Sequence, residues 1–199
     1  MTHPDAKAAI TSPQQIWEEL MAGNHRFMLG QTLPREIVKR RKELADGQAP
    51  RAVILGCSDS RVAPELIFDQ HLGDLFVVRS AGNIADAICR GSIEYALEHL
   101  RSTVVVVLGH TKCGAVQAAC SGEVMPSNNL SAITDRIRPA CVKEDGRKAS
   151  RSSVESNIRA SVADLLNNSS IIREYKKRDN FLLVQAIYDL DSGQVVRLE

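Results

Sequence analysis

Three short apolar runs, rich in β-branched residues, interrupt an otherwise mixed sequence: residues 52–55 (AVIL), 75–79 (LFVVR) and 103–108 (TVVVVL). The first and last run into a glycine, Gly56 and Gly109. Runs of this length without polar alternation fit strands covered on both faces, as in a parallel sheet. Two further runs, 181–190 and 195–198, flank Asp191, Ser192 and Gly193 and read as a closing strand pair.

Between the strands the period changes. Ile16, Trp17, Leu20, Met21, Phe27 and Met28 recur at helical spacing, and Ser12, Pro13 and Gln15 ahead of them supply a cap, a first-turn proline and a side chain that reaches back. Helices are also expected over about residues 34–46, 86–100, 114–120, 130–141 and 154–166. Residues 121–129, rich in Ser, Gly, Asn and Pro, read as a loop, and 143–153 as a polar connection. There is no internal repeat, low-complexity tract or dinucleotide glycine fingerprint. The expected fold is one α/β domain over residues 1–199, with a mainly parallel central sheet of about four strands plus an edge strand, flanked by helices. A helical arm at about 13–46 precedes it.

In an open parallel sheet the carboxyl ends of the strands share one edge, where ligands bind. Cys57, Asp59 and Arg61 (CSDSR) follow the first run, and His110 and Cys113 (HTKCG) follow the third. Two thiols and an imidazole converging there make a three-ligand zinc site. Structural zinc sites use four protein ligands, whereas catalytic ones use three and keep a position for water. His110 and Cys113 are three apart, so one tight turn presents both. No CxxC pair suggests redox chemistry instead. The alternative is that these are buried, satisfied side chains of the core. Arg61 is two residues from Asp59, and its fork can grip that carboxylate bidentately; an ordinary loop salt bridge is the plainer account.

Composition narrows the picture. A chain of 199 residues with 44% apolar content can bury one core, and a net charge of +1 gives no pull toward nucleic acid or membrane. Only residues 35–42 are locally basic, as a solvated helix face would be. No secretory pattern opens the chain and no apolar run approaches the roughly 18 residues of a membrane span, so a cytoplasmic protein is expected. Five cysteines, two of them assigned to metal, agree with a reducing compartment. Cys89, Cys120 and Cys141 read as small packing residues.

CSDSR followed by HTKCGA resembles the β-class carbonic anhydrases, with further matches at 20–27 (LMAGNHRF), 64–69 (PELIFD), 73–83 (GDLFVVRSAGN), 92–97 (SIEYAL) and 187–195 (IYDLDSGQV). The resemblance spans about residues 13–198. It implies one zinc ion per chain on Cys57, His110 and Cys113, with Asp59 and Arg61 as a catalytic dyad acting on carbon dioxide and bicarbonate. It further implies a homodimer or homotetramer in which the amino-terminal arm wraps a second subunit. Gln48, Phe76 and Tyr95 would line the neighbour's cleft, and His99, four residues from Tyr95, would be a proton-relay position. Phe76 in a strand is also consistent with plain core, and His99 with a solvated side chain.

The allosteric branch of that family carries tryptophan where this chain has Ile54, which points to the non-allosteric, plant-like branch. Gln185 departs from a usual glycine and is expected to crowd the cleft or the subunit contact. Hydrolysis of carbon disulfide or carbonyl sulfide on the same scaffold is an alternative activity. A structural zinc site with Asp59 as permanent fourth ligand is an alternative from another class.

Overall fold

Five strands form one sheet in the order β2-β1-β3-β4-β5: β1 is Ala52–Cys57, β2 Leu75–Ser80, β3 Val104–His110, β4 Leu182–Tyr188 and β5 Val195–Arg197. β1 to β4 are parallel, and β5 returns antiparallel to β4. This computed structural model describes residues 11–142 and 150–199. Every residue of the central strands β1 and β3 is buried. Both faces are covered, which is why their sequences carry no polar alternation.

The helices are α1 (Pro13–Met28), α2 (Ile37–Glu43), α3 (Pro64–Ile67), α4 (Ala87–Glu98), α5 (Gly114–Ser121), α6 (Asn128–Ile137), α7 (Arg151–Asn168) and α8 (Ser170–Lys176). Val53, Leu55, Val105 and Val107 face one core with residues of α4, α5 and α7, and Ala52, Ile54, Val104, Val106 and Leu108 face the other with α1. From β1 the chain steps sideways to β2, then crosses back over β1 to reach β3. The winding of the sheet therefore switches sides at β1/β3, the point at which ligands bind in such sheets, beyond the carboxyl ends of those two strands.

The expected capping box holds α1 at its start: Gln15 N–H donates to Ser12 Oγ at 3.2 Å and Ser12 N–H to Gln15 Oε1 at 2.8 Å. The apolar stripe corrects one expectation, because Ile16, Trp17 and Leu20 are buried against the chain's own sheet. That part of the arm needs no second subunit to cover it. Gly23 permits the approach, since a Cβ there would lie 1.8 Å from the Phe68 carbonyl oxygen just beyond α3. Next to it, buried Asn24 donates Nδ2–H to Ile67 O at 3.1 Å and to Gly193 O at 2.9 Å, and accepts Val195 N–H at 2.9 Å.

Other differences have local causes. α2 is shorter than the expected 34–46, and α6 gives way after Ile137 to a tighter turn, Arg138–Ala140, which contains Pro139. Proline supplies no N–H and restricts the residue before it, so the α-helix stops there. Residues 143–149 of the expected polar connection lie outside the described residues, and α7 begins at Arg151 with Ser150 as its cap.

Cys120 and Cys141 form a disulfide, with Cα atoms 5.4 Å apart, so they are not separate packing residues. The end of α5 lies beside the segment that follows the Pro139 turn, within the usual bridging span. Of the three extra cysteines only Cys89 is a buried, free packing residue. A disulfide removes the support that the cysteine count lent to a reducing compartment. No helix among the described residues is long and apolar enough to cross a membrane.

Candidate metal centre

The sheet topology brings the chemistry together. Cys57 ends β1, His110 ends β3, and Cys113 is the cap residue of α5. Lys112 between the last two takes φ 57°, a left-handed turn that folds the chain from strand into helix. The ligand atoms of Cys57, His110 and Cys113 all lie within 4.8 Å of one another, and all three residues are buried. The two sulfurs are 4.0 Å apart. Tetrahedral zinc with metal–sulfur bonds of about 2.3 Å holds two sulfurs roughly 3.8 Å apart, close to that spacing.

His110 completes the fit. Its Nδ1 lies 2.9 Å from the Thr111 carbonyl oxygen, which leaves the lone pair on Nε2. That Nε2 is buried without a hydrogen-bond partner. A buried acceptor left unpaired between two thiols is costly unless something binds it. The donor set suits a borderline-soft cation, and zinc above all.

The electrostatics favour charge on sulfur. The Cys57 thiol is drawn down to about 4, chiefly by its hydrogen bond with Cys113, against the opposing effect of burial and with help from the backbone of Asp59 and Gly82. Cys113 is pushed up correspondingly, first by that same bond and then by burial.

Beside this pair, Asp59 is gripped by Arg61. Its Oδ1 accepts the Arg61 backbone N–H at 2.9 Å and Nε–H at 3.0 Å, and its Oδ2 accepts Nη2–H at 2.7 Å. The guanidinium bonds outweigh burial and hold the carboxyl well below the usual carboxylate range. Oδ2 remains 3.9 Å from His110 Nε2, at the mouth of the three-ligand cluster.

Two contributors had no role in the sequence reading. Arg79 on β2 donates Nε–H to Cys57 O at 2.9 Å and Nη2–H to Asp59 O at 2.6 Å, bracing the loop that carries both. Gly82 donates its backbone N–H to Cys57 Sγ at 3.3 Å. The visible signal was an arginine closing an otherwise apolar run, directly before a small-residue turn.

The remaining expected residues gather elsewhere. Phe76 pairs with Val53, four positions before Cys57 and so about 13 Å down the sheet. Its ring centroid is 6.3 Å from that of Tyr95, which is 5.0 Å from the His99 ring. α4 runs opposite to the strands, so His99 at its end lies toward the sheet's amino edge, as does Gln48 in the exposed loop before β1. Within one chain none of the four reaches the metal cluster. Tyr95 is 50% exposed, which leaves this aromatic string open to the outside.

Comparison with known proteins places the chain in a family. The family model for carbonic anhydrase matches residues 52–195. Carbonic anhydrase 2 of Mycobacterium tuberculosis is 41% identical over 192 residues, covering 94% of this chain and 93% of its own. A β-carbonic anhydrase structure from Aspergillus fumigatus superposes with TM-score 0.72 at 26% identity, covering 92% of this chain and 90% of that one. A structure from a study of two tetrameric β-carbonic anhydrases of Sordaria macrospora gives TM-score 0.70 at 27% identity, over 79% of this chain and 84% of that one.

Proposed function

Because the chain belongs to the β-carbonic anhydrases, we propose that it catalyses the reversible hydration of carbon dioxide to bicarbonate and a proton, with one zinc ion on Cys57, His110 and Cys113. The observation that carries this reading is the unpartnered, buried His110 Nε2 beside two sulfurs, with an Arg61-held carboxylate at the mouth. Zinc, when bound by three such ligands, supplies Lewis acidity that makes water nucleophilic near neutral pH.

The chain's own residues do the rest. Asp59, ionised and engaged by three N–H groups, can only accept a hydrogen bond. It would accept a hydrogen bond from the O–H of the attacking oxygen, the proton staying on that oxygen, and leave a lone pair directed at the carbon of carbon dioxide. Arg61 keeps the carboxylate in that role and away from the cluster, while Arg79 fixes the backbone on both sides. A purely structural site has no need for such restraint, so the dyad favours an enzyme over a scaffold.

Gln48, Phe76, Tyr95 and His99 belong, in this reading, to the cleft of a second copy, with His99 as a proton-relay position there. Their distance from the chain's own centre and the exposure of Tyr95 support this. A homodimer or homotetramer follows, in keeping with the tetrameric enzymes from Sordaria macrospora. Ile54 in place of tryptophan supports the plant-like, non-allosteric branch.

Stopped-flow hydration of carbon dioxide by zinc-loaded protein tests the proposal. The expected result is rapid hydration with about one zinc per chain, and loss of both in Cys57→Ser and His110→Ala. Full zinc occupancy in those variants, or a zinc-loaded protein without hydration activity, would overturn it.

A further inference from the structure

We infer that Asn157 on α7 is a positioning residue for the metal centre: it fixes the turn that aims the Gly82 amide at Cys57 Sγ, and so sets how much charge that sulfur gives the ion. The inference rests on the proposed zinc centre and adds a residue 100 positions away in sequence that touches neither ligand nor substrate.

The turn Ala81–Asn83 is an unlikely one for the backbone to adopt unaided. Gly82 and Asn83 have φ 69° and 48°, two left-handed residues in succession. Glycine accepts that conformation without steric cost, whereas asparagine does so at some cost. Gly82 also has no room for a side chain, since a Cβ there would be 2.5 Å from Ile137 Cδ1 and 3.3 Å from Ala115 Cβ.

α7 supplies the restraint. Asn157 donates Nδ2–H to Gly82 O at 2.8 Å, and Ser161, one helical turn on, donates Oγ–H to Asn83 O at 3.0 Å. Asn157 is 3% exposed, Ser161 5% and Asn83 1%. On a helix whose other buried positions include Val154, Ile158, Val162 and Leu165, two polar residues this deep are specified by what they bond. What they bond is the turn whose next polar contact is Gly82 N–H to Cys57 Sγ, at 3.3 Å.

The chemical consequence follows from charge. Two thiolates neutralise a dication, which weakens its pull on a further ligand. An N–H···S bond draws density from the sulfur and restores part of that pull. Partners outside the ligand shell typically change metal affinity or activity by about 10–100-fold when removed.

The test uses protein loaded with ¹¹³Cd or Co(II) in place of zinc. In the unaltered chain the Gly82 amide proton should show scalar coupling to ¹¹³Cd through the hydrogen bond. In Asn157→Leu that coupling should vanish, the sulfur-to-Co(II) charge-transfer band should move to longer wavelength, and kcat of the zinc enzyme should fall about tenfold with KM little changed. Asn157→Ser, too short to reach Gly82 O, should do the same and serves if the leucine variant does not fold. A cadmium resonance typical of two thiolates and one imidazole, but without coupling to Gly82 in the unaltered chain, would overturn the inference and leave the zinc centre standing. A folded variant with coupling and band unchanged would overturn it as well. Absence of any such resonance would remove the proposed centre and the inference together.

Discussion

In the proposed centre, Arg61 decides which of two tasks the Asp59 carboxylate would perform. Its Oδ2 lies 3.9 Å from His110 Nε2, so the carboxylate is near enough to become a further ligand of an ion held there, and the guanidinium bonds would keep it from doing so. Arg61→Ala is expected to retain zinc, let Asp59 coordinate it, and lose most hydration activity. X-ray absorption should then show an additional carboxylate oxygen scatterer; an unchanged shell with normal turnover would refute the assigned roles. Asp69 is a second carboxylate with a defined task. Its side chain is 1% exposed, and it accepts Arg26 Nε–H at 2.6 Å and Leu33 N–H at 3.1 Å. Burial alone would raise its pKa, but Arg26, the Leu33 amide and Arg35 together bring it below the ordinary value. Since the folded pKa is the lower one, the stabilisation is complete above the unfolded value of about 3.9 and is lost as pH falls through the folded value. Asp69→Asn is expected to cost about 2 kcal/mol at pH 7, and denaturation curves of variant and parent should converge in acid. That Cys57, His110 and Cys113 would gather and that Arg61 would grip Asp59 was legible from residue type and spacing. Arg79, Gly82 and Asn157 were not, because they act through backbone carbonyls and an amide, which every residue carries.

At the scale of elements, strands covered on both faces announce themselves, and β1, β2 and β3 lie within two residues of the ranges their apolar runs predict. α3 and α8, four and seven residues long, are too brief to show a helical period; packing holds α3, and the Ser169 cap helps to hold α8. Gln185 illustrates what a strand pattern hides. It pairs with Val107 inside the sheet, three positions short of the Tyr188–His110 pair, and so about 10 Å from the metal edge of its own chain. Its Oε1 is buried without a partner, and an unmet buried acceptor costs about 1–3 kcal/mol. Gln185→Leu is therefore expected to raise the thermal midpoint by about 2–4 °C without altering kcat. A lower midpoint in calorimetry would mean that the amide finds a bond, for instance in the assembled oligomer.

For the whole molecule, the candidate metal centre is a product of topology: the order β2-β1-β3 sets the carboxyl ends of two parallel, non-consecutive strands side by side. Its ligands span residues 57–113, yet the turn behind them is held by α7 and the sheet is closed by β4 and β5, so completing the site draws on the full chain. Asn24 gives this dependence an order in time. Two of its three hydrogen bonds go to Gly193 and Val195, at sequence separations of 169 and 171. A ribosome makes α1 well before the β4–β5 hairpin, at about 5–20 residues per second, and must reach that hairpin before those bonds can form. During synthesis α1 therefore waits, its apolar stripe not yet fully seated. Ribosome-bound chains halted with residues up to 180 outside the exit tunnel should be cut within α1 by a dilute protease, whereas chains extended by a linker so that Val195 has emerged should resist. α1 is thus completed by residues translated 169 and 171 positions later, and truncation just after Cys113 would still leave it undocked.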